Sequence, residues 1–70
     1  MTKAEKTAAI GRAQASLNAA EIHFAHGEGG WAQGAIEEAN NLLKGTGMKL
    51  DWDSNPENPV PGIMEETSNN

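Results

Sequence analysis

The sequence predicts a small all-α fold: an antiparallel αα-hairpin, with helices at about residues 3–26 and 31–44, followed by an extended Pro/Asn-rich C-terminal arm. Three observations predict it. Ile10, Ala13, Leu17, Ala20 and Phe24 recur at spacings of 3-4-3-4, which keeps all five on one helical face. Gly27-Glu28-Gly29-Gly30 then breaks the pattern before a second periodic run begins. All three prolines lie beyond residue 55, so neither run carries a breaker.

Thr2 followed by Glu5 has the form of a capping box, in which each side chain reaches the other's free backbone N–H. The first helix runs from there with one internal glycine, Gly11. His26 followed by Gly27 ends it, since glycine accepts the left-handed conformation that follows many helices. In the second run Ala32, Ile36, Ala39 and Leu43 share a face, which Ala35 and Leu42 widen toward Trp31. Lys44 and Gly45 repeat the earlier ending. A connection of about four residues obliges the two helices to lie antiparallel.

Residues 46–70 change character, and the chain divides into a hairpin (1–45) and an acidic arm (46–70). Gly45-Thr46-Gly47 is a joint, after which Met48, Leu50 and Trp52 alternate with polar residues, the period of a short extended segment with one apolar face. Asn55-Pro56, Asn58-Pro59 and Pro61-Gly62 exclude helix. Trp52, Val60, Ile63 and Met64 are the expected anchors of this arm, on its own hairpin or on a neighbour. Residues 1–44 hold four basic and five acidic residues, residues 45–70 one basic and five acidic.

Composition narrows the function. Eleven of the 26 hydrophobic residues are alanine, and Leu, Ile, Val and Phe together number ten of 70. So small a core, with no cysteine to form a disulfide, predicts association with another copy or another protein. The expected seam is Ile10, Ala13, Leu17, Ala20, Phe24, Ile36, Ala39 and Leu43, where alanines between larger side chains admit close helix approach. The plainer alternative makes these residues the core of a monomeric hairpin. No apolar run nears the ~20 residues of a membrane helix, and Thr2, Lys3, Glu5 and Lys6 do not form a signal sequence. The expected setting is therefore soluble, in the cytoplasm or within an assembly. A net charge of −5 argues against direct nucleic-acid binding and is too weak for mimicry of a nucleic acid.

Several residues invite chemical readings. His23 and His26, three apart on one helix, could share a transition metal, though two exposed helix-end histidines are the plainer reading. Asp51, Asp53 and Asn55 match the first oxygen positions of an EF-hand loop. Pro56 and Gly62 then stand where its glycine and bidentate glutamate belong, leaving Glu57 for an irregular site at best. Gly27, Gly29, Gly30 and Trp31 open onto a helix N-terminus, a place for a nucleotide phosphate with a stacked base, but Glu28 puts a negative charge in the loop. Trp31 is expected to pack on Phe24 at the closed end of the hairpin, while Trp52 reads equally as filler or as an anchor in a partner pocket. Nothing resembles a catalytic constellation. Glu37 and Glu38 are adjacent and diverge by about 100° on a helix.

The reading these features support is a small non-enzymatic interaction protein without cofactor. It would be a subunit or accessory piece of a larger assembly, such as a virion, or a blocker of a larger target. The alternative is a homo-oligomeric binder of a nucleotide or signalling ligand at subunit interfaces, through the glycine loop and Trp31.

Overall fold

The structure, a computed structural model, describes residues 1–52 and 59–66. Two α-helices, α1 (Lys3–Ala25) and α2 (Gly29–Leu42), are followed by two short strands, β1 (Met48–Asp51) and β2 (Gly62–Glu65). Met1, just before α1, and Glu5 and Arg12 in its first half line one cleft with Asn41 and Leu42 at the end of α2 and Lys44 just past it. At the other end His23 lies against Trp31. The helices are therefore antiparallel.

Both ends of α1 follow from local chemistry. Thr2 Oγ1 accepts from the Glu5 N–H at 3.1 Å, and Glu5 Oε1 accepts from the Thr2 N–H at 2.7 Å. Gly27 takes φ +75°, its N–H donates to Phe24 O at 3.1 Å, and the Glu28 N–H donates to His23 O at 2.7 Å. That pair of bonds is a Schellman closure, satisfying two carbonyls the helix leaves free. It also reverses the chain within three residues. Consequently α2 starts at Gly29, two residues earlier than the periodicity predicts, and ends correspondingly early at Leu42.

The C-terminal segment differs from the expected arm. Met48–Asp51 is extended as predicted, but it pairs antiparallel with Gly62–Glu65, with Met48 opposite Glu65 and Leu50 opposite Ile63. The joint before it is built by Thr46, which is buried. Its Oγ1 donates to Leu43 O at 2.6 Å and accepts from the Met48 N–H at 3.1 Å, so one hydroxyl ends the helix and starts the strand. Gly45 and Gly47 flank it at φ +83° and +82°. Among the described residues no buried side-chain nitrogen or oxygen lacks a partner.

The core is one cluster. Ala13, Leu17 and Ala20 of α1 meet Ala32, Ile36, Ala39 and Leu43 of the second helical run, and Leu50 and Val60 complete it from the C-terminal segment. Ile10 and Phe24 pack against it half-buried, with Ala35, Leu42, Met48 and Ile63. Alanines predominate because two helices in contact leave little room between their backbones. The stripe expected as an intermolecular seam is thus covered within one chain. Among the described residues no helix is long and apolar enough to cross a membrane.

Candidate functional site

The turn end of the helical pair carries the most distinctive side-chain arrangement. The Schellman closure places Glu28 just outside α1, where its Oε1 lies 2.7 Å from His23 Nδ1. The first turn of α2 then brings Trp31 over the imidazole, with ring centroids 6.3 Å apart and planes inclined by 28°. His23 is half-buried between these partners, whereas Trp31 remains 70% exposed. The indole is held at an edge by a neighbouring ring while its other surface meets water. Ile22, on the outer side of α1, is also exposed, at 57%.

This placement corrects the expectation for Trp31. It stacks on His23 rather than facing Phe24, because one position before Ala32 it stands about 100° around α2 from that buried residue, at the margin of the inner face. Trp52 does not pack on its own hairpin: it follows the end of β1 and is 66% exposed. Of the other expected anchors Val60 is buried, Ile63 half-buried and Met64 38% exposed.

The remaining candidates do not converge. His26 caps α1 and is exposed, and among the described residues no three His, Asp or Glu side chains gather as a metal site. Of the EF-hand-like positions only Asp51 is described; Asp53, Asn55 and Glu57 lie outside the described residues. Gly29 and Gly30 form the first turn of α2 itself, and its N-cap, Glu28, makes no side-chain cap. The helix N-terminus therefore meets a carboxylate already engaged by His23, a poor setting for a phosphate. The His23–Glu28–Trp31 cluster escaped the sequence reading because it depends on the turn geometry; the available signal was a glutamate five residues after a histidine across a helix-ending glycine.

No family model, curated protein or solved structure matches the chain.

Proposed function

We propose that this chain is a small, non-enzymatic protein-interaction module that presents Trp31 from the turn end of its helical pair to a protein partner. The observation that carries the reading is the exposure of both tryptophans in a chain with three aromatic residues, one of them fixed against His23. Exposing an indole costs hydrophobic free energy that burial in a partner recovers, and tryptophan is the residue type most enriched at interface hot spots. His23 and Glu28 reduce the freedom lost on docking by holding the ring in place.

Self-association belongs to the same reading, through surfaces other than the covered stripe, with the Pro/Asn-rich stretch as an arm to a neighbour. The module would act in the cytoplasm or inside a larger assembly, as a subunit or as a blocker of its target. The test is affinity capture from the source cells with the full chain and with a Trp31→Ala variant of matched helicity. A protein retained by the first and lost by the second supports the reading; equal retention by both overturns it.

A further inference from the structure

Among the described residues the outer edge of β2 is open. Glu66 N–H donates to Gly47 O at 2.9 Å, continuing the ladder one pair beyond Met48 and Glu65. Bonded and non-bonded pairs alternate in an antiparallel ladder, so Lys49–Met64 and Asp51–Gly62 are the bonded pairs within the sheet. Ile63 and Glu65 therefore turn their N–H and C=O groups away from β1. Among the described residues no backbone group bonds to them there, and neither residue is buried. β1 offers no equivalent edge, since Leu50, which turns its backbone outward on that side, is buried to 2% exposure.

Beside the open edge a groove of about 190 Å³ runs between β2 and α1, lined by Gln14, Leu17, Asn18, Glu21 and residues 60–63. Its lining is mostly polar, with Gln14, Asn18 and Glu21 beside the apolar Leu17, Val60 and Ile63, and none of its lining residues is basic. Glu21 stands on the α1 side, and Glu65 and Glu66 lie along and just past the strand. The nearest base on the sheet, Lys49, is across the ladder on β1.

We propose that β2 accepts an extended, basic segment of a partner protein as a third strand, seated in this groove. The unpaired groups of Ile63 and Glu65 supply the backbone bonds of strand addition. Alternate side chains of the guest enter between β2 and α1 on the face that Ile63 and Glu65 share, where basic ones meet Glu21 and Glu65, while those on the other face meet Glu66. A second copy is a poor occupant, because residues 62–66 hold no base and a β2–β2 pair would gather Glu65 and Glu66 of both copies with nothing to offset them. This site is separate from Trp31 and does not depend on the reading given for it.

The probe is acetyl-Lys-Val-Lys-Val-Lys-amide, titrated into the full chain and followed by backbone amide NMR. Binding shifts the Ile63 and Glu65 amides, slows their hydrogen exchange and weakens with added salt. A Glu65→Gln/Glu66→Gln double variant, changed only at exposed positions, lowers affinity about fivefold. Methylating the two valine amides of the probe abolishes binding. The proposal is overturned if the methylated probe binds equally, if a Glu-Val-Glu-Val-Glu analogue binds as well, or if the shifts fall around Trp31 instead. Concentration-dependent shifts at Ile63 and Glu65 without peptide would make a second copy the occupant and overturn it equally.

Discussion

Gly11 and Gly27 separate two uses of the same residue. Gly11 sits exposed inside α1, and a Cβ there would meet no atom within 4 Å. Glycine in a helix interior costs about 0.5–1 kcal/mol relative to alanine. Gly11→Ala should therefore stabilise the chain by roughly that amount, read as a higher urea midpoint with an unchanged slope. Gly27 is equally uncrowded, but its φ of +75° belongs to the left-handed region. Gly27→Ala should cost about 1 kcal/mol by the same measurement, because the strain is in the backbone and not in any contact. If both substitutions moved the midpoint in the same direction, the Schellman closure would not be the element that turns the chain. The thresholds of such local effects are visible in sequence: Thr2, Glu5 and Gly27 act through bonds to residues within four positions, and each does what the sequence predicts.

At the scale of elements, legibility falls with sequence distance. α1 was readable from spacing and caps, and the extended run from Met48 from its alternation. Its partner was not, since Leu50 and Ile63 pair across 13 positions and Gly62-Ile63-Met64-Glu65 places its two apolar residues side by side. Val60, one of the expected anchors, packs into the core of its own chain, whereas Trp31, read as filler, is an exposed ring stacked on His23. The joint between α2 and β1 supplies a sharp test of the assembled elements. Thr46→Val keeps the shape of a buried side chain but removes the bonds to Leu43 O and the Met48 N–H. A loss of about 1–3 kcal/mol is expected in urea unfolding. Thr46→Ser, which retains the hydroxyl, should recover most of it. Leu17→Asp tests α1 in the same way. It drives a carboxylate into the buried cluster beside Ala13 and Ala20, and circular dichroism should report an unfolded chain. A folded Leu17→Asp protein would mean that the other face of α1 is the inner one.

For the whole molecule, the question is whether the helical pair can stand without the sheet. The helices supply mostly alanine to their contact, and Leu17, Ile36 and Leu43 depend on Leu50 and Val60 to close the cluster from the remaining side. Burying one Val or Leu side chain is worth about 1.5–3 kcal/mol, so the two together approach the ~3–10 kcal/mol that holds a chain of this length folded. A chain ending at Gly47 should therefore lose its cooperative thermal transition and much of its helical signal at 25 °C, even though every residue of α1 and α2 is retained. The same truncation removes the β2 edge but leaves Trp31 in place, so loss of partner capture by it would not distinguish the two surfaces. Point variants do: Trp31→Ala addresses one and Glu65→Gln/Glu66→Gln the other, both at exposed positions outside the cluster. If the truncated chain instead melts as sharply as the full one, the helical pair is an autonomous unit, and the reason for the sheet must be sought in what it binds.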